Sequence, residues 1–374
     1  APPPPPRAPA AMAPVFSFGK LLKRRGAASN SPERTPRKRH NGNTSGELHL
    51  PCMIFEEPER PHEQPPVRRK VSSSPMLKED ECSHLRWQQA LAGREASTLS
   101  KDELQALEDT NMPLKHRHAL WPQWFTAPDV NDLDANVEQL SEADADAINA
   151  DVARTQRKFG PAERATLRRV LRAYAAQNPG VGYCQGMNNI AAVFILLGFD
   201  ETATLRGCYT LVQGCCPGYH DRDLAGYRLD AQVLAKLAEQ VLPQSSLDLL
   251  AALDVPLDVL ATEHFLTLFS KTWPIEVTAR LWDIILREGS PAVFAAFLAL
   301  LRLYLPDKQA MAAAMSGAHG EPEEPVDVFR RQVGQGVAKD ADSLLREVRR
   351  IIPMVSQGEI NKLRFQLAGK KSTN

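Results

Sequence analysis

An all-α fold is predicted for the chain from about Ser83 onward. Three observations carry that prediction: apolar residues recur at helical spacing, the stretches between turns are rich in Ala, Leu, Arg and Glu, and alternating β-branched runs are few. Within 163–177 the apolar set Leu167, Val170, Leu171 and Tyr174 falls at i, i+3, i+4 and i+7, and Asn178-Pro179-Gly180 stops the helix. The stretch 187–197 is apolar nearly all round, which predicts a central, buried helix. Further helices are expected at 224–242, 246–253, 258–270, 275–287 and 292–304, with Pro243, Pro256, Pro274 and Pro291 at their starts or stops. Residues 308–324 are rich in Ala, Gly, Pro and acid and read as a loop insertion, after which 343–352 and 360–367 read as two closing helices. No repeat of 20–50 residues is present, which disfavours a regular solenoid.

The first fifth of the chain is chemically different. Through Asp80 it holds 15 of the 29 prolines and 14 Lys+Arg against 8 Asp+Glu, with few apolar residues at either regular spacing. Such a segment cannot bury enough surface to offset its ordering entropy, so 1–80 is expected to be a disordered, basic, Pro-rich tail ahead of a folded domain at 81–374. Its clusters Lys23-Arg24-Arg25, Arg37-Lys38-Arg39 and Arg68-Arg69-Lys70 predict peripheral attraction to acidic membranes, which phosphorylation at Ser31, Thr35 or Ser72 would weaken.

Over the whole chain 45 Lys+Arg balance 45 Asp+Glu, which argues against a nucleic-acid partner. The longest uncharged apolar runs, 190–199 and 293–301, are about half of the roughly 20 residues that cross a bilayer. Six irregularly spaced Cys read as reduced thiols, and no signal-peptide core is visible, so a cytoplasmic setting is expected. The chain begins at Ala1 and not Met, as it would if an upstream segment were missing.

Candidate chemistry begins with Cys208, Cys215, Cys216 and His220. No Cys-x-x-Cys occurs, a second ligand pair is missing, and neighbouring thiols cannot easily share one tetrahedral ion, so core or loop thiols are expected. Cys184 lacks the flanking pattern of a thiol protease, Glu263-His264 lacks the second His of a zinc-protease helix, and no Gly-rich phosphate loop with a following Lys is present.

Two stretches are more informative. In Ile148-x-x-Asp151-x-x-Arg154-Thr155, a helix places Ile148, Val152, Thr155 and Phe159 on one inward stripe and sets Asp151 beside Arg154 on its flank. A carboxylate there would fix the guanidinium and reduce the entropy of presenting it; the plain alternative is a surface ion pair. In Gly182-Tyr183-Cys184-Gln185-Gly186-Met187-Asn188, Gln185 lies just before a helix N-terminus, where free N–H groups favour an anion such as phosphate. The alternative is that Gln185 caps the helix and the glycines make the turn.

Taken in order with Pro113-x-x-x-Arg117-x-x-x-Trp121, Phe265-x-Thr267-Leu268-Phe269-Ser270 and Arg280-Leu281-Trp282-Asp283-x-x-x-x-Glu288-Gly289, these stretches resemble the signatures of the TBC domain family of Rab GTPase-activating proteins. The motif core runs over 113–306, with a helical extension over 307–367. The resemblance implies a V-shaped, two-lobed helical domain whose partner is a GTP-bound Rab small GTPase, regulating vesicle trafficking in the cytoplasm and at endomembranes. It implies that Arg154 is an arginine finger and Gln185 a glutamine finger, both supplied in trans. Asp151 would buttress Arg154, and Tyr183 and Asn188 would shape the glutamine loop. No cofactor of its own is implied, because the partner holds GTP and Mg.

The sequence departs from the family pattern at two places. Family members often carry Thr-Phe-Pro after the arginine, whereas Thr155 is followed here by Gln156-Arg157-Lys158-Phe159, which affects the rim and the choice of Rab. His264 stands near a position that is commonly Trp and reads as a packing substitution. Alternative readings are a catalytically silent Rab-binding module or scaffold, and an unrelated helical enzyme built on the Cys/His cluster.

Overall fold

Helix-forming stretches punctuated by prolines and capping residues give an all-helical chain, and no strand occurs among the described residues. The computed structural model describes residues 81–370 apart from Glu108, 128–131, 157–158, Asp254 and His319. The tail 1–80, with its basic clusters and phosphorylation candidates, lies outside the described residues, as do Arg157 and Lys158.

In chain order the helices are α1 (Glu81–Leu91), α2 (Lys101–Ala106), α3 (Leu114–Trp124), α4 (Glu142–Arg154), α5 (Pro161–Gln177), α6 (Met187–Leu196), α7 (Glu201–Tyr209), α8 (Ala225–Val241), α9 (Gln244–Leu253) and α10 (Leu257–Leu266). They continue as α11 (Ile275–Glu288), α12 (Ser290–Tyr304), α13 (Lys308–Met315), α14 (Pro325–Lys339), α15 (Ala341–Ile351) and α16 (Gln357–Lys370). Their beginnings follow the capping rules. Ser100, Ser141, Asp200, Asp307 and Asp340 accept a backbone N–H with their side chains, and Pro161, Pro291 and Pro325 sit in first turns, where a missing N–H costs nothing.

The core wraps two helices. All of α12 from Ser290 to Leu301 is buried, and α6 buries Met187, Asn188 and Ile190 through Phe194 while leaving Leu196 partly exposed. Trp121 stacks on Phe199 at 5.4 Å and packs with Phe194 and Trp282, so α3, α6 and α11 meet around aromatic rings. Burying each such ring stabilises by about 1.5–3 kcal/mol.

Into this apolar junction the chain inserts one charge pair. Arg117 is fully buried on α3 and donates from Nε to both oxygens of Asp283 on α11, at 3.0 and 3.2 Å, and from a terminal nitrogen at 2.7 Å. Trp121 Nε1 donates to the same carboxylate at 2.8 Å. The motifs at 113–121 and 280–289 are therefore two halves of one packing unit.

Three expectations need correction. Residues 308–324 are not a loop insertion throughout: Lys308–Met315 is helix, because an Ala-rich run follows the Asp307 cap and Met311 buries. Helix α14, absent from the sequence reading, buries Val328, Phe329, Val333 and Val337, a pattern that Gly334 and Gly336 disguise. The helix expected at 258–270 stops at Leu266, because Leu268 and Phe269 take left-handed φ values of 47° and 66°. That turn lets both side chains reach the core, and Trp282 Nε1 anchors it by donating to the Leu268 carbonyl at 3.0 Å.

Candidate functional site

The site is built from α4 and the loop between α5 and α6. Ile148 and Val152 are fully buried and fix the rotation of α4 about its axis. The stripe expected to run on through Thr155 and Phe159 does not: the helix ends at Arg154, Thr155 is extended and Gln156 has φ 45°, so those two residues bury beyond the helix. Asp151 then falls on the inner flank at 4% exposure, whereas the Arg154 side chain, in the last turn, stays 53% exposed. Arg154 donates from Nε at 2.8 Å and pairs through a terminal nitrogen at 2.6 Å, both to Asp151 Oδ1. The pair is not a surface pair: one partner is sunk in protein and fixes how the other is presented.

The second oxygen of Asp151 accepts the Tyr183 hydroxyl at 2.5 Å. Burial, and then the Asp151 charge, hold the Tyr183 phenol well above its ordinary pKa, so it remains a donor. Thr155 Oγ1 donates to the Asp151 carbonyl at 2.6 Å and accepts from Asn188 Nδ2 at 2.7 Å, while Asn188 Oδ1 accepts the Gly186 N–H at 3.0 Å. Asp151, Arg154, Tyr183 and Asn188 thus form one network. Gln185 is half-buried, between Tyr183 and Gly186, and one residue ahead of the cap of α6. The free N–H groups expected there for an anion are largely taken: Gly186 donates to Asn188 Oδ1, Met187 to the Cys184 carbonyl and Asn189 to the Gly186 carbonyl, and Gly186 and not Gln185 is the cap.

Two glycines are required by close approach. Gly182 has φ +67°, and a Cβ there would lie 2.9 Å from Asp144 Oδ2; Gly186 has φ +117°, and a Cβ would lie 2.7 Å from the Leu266 carbonyl oxygen. Gly186→Ala is therefore expected to combine about 1–3 kcal/mol of backbone strain with a contact that only backbone movement can relieve. A lowered Tm in thermal unfolding checks this, and an unchanged Tm would contradict it.

Two partners escaped the sequence reading. Arg164, on α5, donates to the carbonyls of Val152 and Ala153 at 2.5 and 2.7 Å, satisfying acceptors that the end of α4 leaves unpaired. Asp144, in the first turn of α4, accepts the Tyr183 backbone N–H at 3.2 Å. Both contacts join separate helices or loops, so no local spacing signals them.

The Cys/His cluster is core. Burial pushes the thiols of Cys208 and Cys215 up to about 12 and holds that of Cys216 well above its ordinary value, which keeps them protonated. Among the described residues no group of three or more His, Cys, Asp or Glu is placed to hold a metal ion. His220 is buried and donates from Nε2 to the Leu266 carbonyl at 2.9 Å, the same oxygen that faces Gly186. His264 is buried against Phe269 and Phe297, in keeping with a packing role.

Burial lowers both His220 and His264 from 6.5 to about 4. Between those values the unfolded chain binds more protons than the folded one, so stability is full above about pH 6.5 and falls as pH drops toward 4. Tm measured from pH 7 to 4.5 is expected to decline through that window. His264→Phe, which keeps a ring in place, should remove its share of the slope.

Residues 115–309 match the family model of the Rab-GTPase-TBC domain. The chain is 32% identical over 204 residues to growth hormone-regulated TBC protein 1 of Homo sapiens, covering 51% of this chain and 60% of that protein. It is 38% identical over 138 residues to small G protein signaling modulator 3 of Bos taurus, covering 37% of this chain and 18% of that one. Of solved structures, the Chlamydomonas flagellar RabGAP TBC domain aligns with a TM-score of 0.58 at 25% identity, over 72% of this chain and 90% of that one. The Ypt/Rab-GAP domain of Gyp1p shares the fold, with a TM-score of 0.56 at 14% identity over 73% of this chain and 98% of that one. The chain spans 60% and 48% of the length of the growth hormone-regulated TBC proteins 1 of Homo sapiens and Xenopus laevis.

Proposed function

The chain belongs to the Rab-GTPase-TBC domain family, and from that premise we propose that it is a GTPase-activating protein for a GTP-bound Rab small GTPase, supplying Arg154 and Gln185 in trans. The observation that carries the proposal is the single network in which buried Asp151 holds both the exposed Arg154 guanidinium and the Tyr183 hydroxyl of the glutamine loop.

In GTP hydrolysis, water attacks the γ-phosphorus, the bond to the β–γ bridging oxygen breaks, and negative charge spreads over the transferring phosphoryl oxygens and the leaving oxygen. A fixed guanidinium aimed at those oxygens stabilises the transition state more than the ground state. The Gln185 carboxamide has both an acceptor and a donor, so its carbonyl can take the water's hydrogen bond while its NH2 donates to a phosphate oxygen. Asp151 contributes by holding Arg154 before the partner arrives, which lowers the cost of ordering a long side chain. The partner carries GTP and Mg, and the chain needs no cofactor of its own.

The same proposal places the protein in vesicle trafficking, cytoplasmic and peripherally attracted to acidic membranes through its basic tail. Equal sedimentation of whole and tail-deleted chain with acidic liposomes at low salt would remove the membrane part. The activity itself is tested by GTP hydrolysis across a panel of Rab GTPases with the whole chain. Acceleration of at least one is expected. Binding of a GTP-loaded Rab without acceleration would instead favour a silent binding module.

A further inference from the structure

We infer that Asp144 is a positioning residue for Gln185, acting by fixing the glutamine loop to the helix that carries Arg154. The inference rests on the proposed activating role but draws on a residue outside the motifs that suggested it.

The loop is held at its start, where the Asn178 carbonyl accepts the N–H groups of Val181 and Gly182 at 3.0 and 2.8 Å. It is held at its end, where Gly186 donates to Asn188 and abuts Leu266. Between these, the Tyr183 backbone N–H donates to Asp144 Oδ1 at 3.2 Å. Asp144 is itself fixed, because Ser141 donates its hydroxyl to Oδ2 at 2.8 Å while accepting the Asp144 N–H at 3.1 Å. Gly182 lies so close to this carboxylate that a Cβ would come within 2.9 Å, so the loop backbone rests on the Asp144 side chain.

Asp144 sits in the first turn of α4 and Arg154 in its last turn. A rise of about 1.5 Å per residue separates them by roughly 15 Å along the axis. Helix α4 therefore grips the loop at two heights. Asp151 takes the Tyr183 side chain and Asp144 takes its backbone two residues before Gln185. With either grip removed, the middle of the loop is held to α4 at the remaining one alone. With both, the carboxamide keeps its place relative to the guanidinium. The contact uses an acceptor oxygen and not the charge, so Asn should serve where Ala cannot.

The test uses the whole chain and the Rab GTPase it accelerates most, under single-turnover conditions, with hydrogen exchange of the 178–186 backbone as a readout independent of activity. Asp144→Ala should lower the maximal rate by about 10- to 100-fold, as expected for a misplaced group, with little change in the concentration giving half-maximal rate. Asp144→Asn should stay within roughly threefold of the unsubstituted chain, because its Oδ1 still accepts the N–H and its Nδ2 can donate to Ser141 Oγ where Oδ2 accepted from it. On a Gln185→Ala background, Asp144→Ala should add less than about twofold, since both act through one side chain. Exchange over 178–186 should quicken in Asp144→Ala and not in Asp144→Asn. Full activity of Asp144→Ala, a loss that multiplies with Gln185→Ala, or unchanged exchange would overturn the inference. If no GTPase in the panel responds to the unsubstituted chain, the activating role fails, while the exchange arm still decides whether Asp144 holds the loop.

Discussion

Arg154→Ala is expected to reduce stimulated GTP hydrolysis by about 10³–10⁵-fold, equivalent to about 4–7 kcal/mol of transition-state stabilisation. The fold should be kept, because Arg154 is half exposed at the last position of α4 and the carbonyls of Val152 and Ala153 remain capped by Arg164. Buried Asp151 would lose the guanidinium and keep the Tyr183 hydroxyl as its side-chain donor, at a cost of about 1–3 kcal/mol. Single-turnover rate should collapse by orders of magnitude while the chain still unfolds cooperatively, with Tm lowered by only several degrees. Asp151→Asn should show a smaller loss, since the shape survives and the charge that steadies Arg154 does not. Gln185→Ala should also lower the rate, and the double substitution Arg154→Ala with Gln185→Ala should lose less than the sum of the singles, because both groups serve one transition state.

Asp283→Ala is expected to be the most damaging single substitution for stability. It would leave the Arg117 charge fully buried without its carboxylate and strip the Trp121 indole of its acceptor. Breaking one side of such a pair costs about 3–5 kcal/mol, or roughly 6–20 °C in Tm at the 2–4 °C per kcal/mol usual for a domain of this size. Replacing both partners together, Arg117→Met with Asp283→Leu, should recover most of the loss, because an apolar pair removes the desolvation cost along with the attraction. Thermal unfolding of the single and double variants measures this directly. A double variant no more stable than Asp283→Ala would contradict the account of the pair as a packing unit.

Much of this was legible in the sequence where the signal is local. The period of Leu167, Val170, Leu171 and Tyr174 and the stop at 178–180 located α5 within two residues of its observed bounds. The i, i+3 spacing of Asp151 and Arg154, together with the stripe of Ile148 and Val152, foretold their pairing, because a helix fixes such neighbours by geometry alone. What spacing could not reveal was depth. Asp151 read equally well as a surface residue, and only its meeting with Tyr183, 32 positions away, shows that it is buried and shared. Asp144, Arg164 and the His220 contact with Leu266 were illegible for the same reason, each joining segments whose approach is set by tertiary packing. The early end of α10 was hidden because Leu268 and Phe269 are ordinary helix formers, held here in left-handed turns by their burial. Helix α14 was hidden because its glycines masked an otherwise regular apolar face.

The central claim is that the chain brings its own glutamine to the partner's GTP. It is tested most directly by single-turnover hydrolysis on a responsive Rab GTPase and on the same GTPase with its own catalytic glutamine replaced by alanine. If Gln185 orients the water, the substituted GTPase should be accelerated by the unsubstituted chain to within about tenfold of the normal one, and that acceleration should vanish with Gln185→Ala. Acceleration of the normal GTPase with none on the substituted one would contradict the claim and leave Arg154 acting alone.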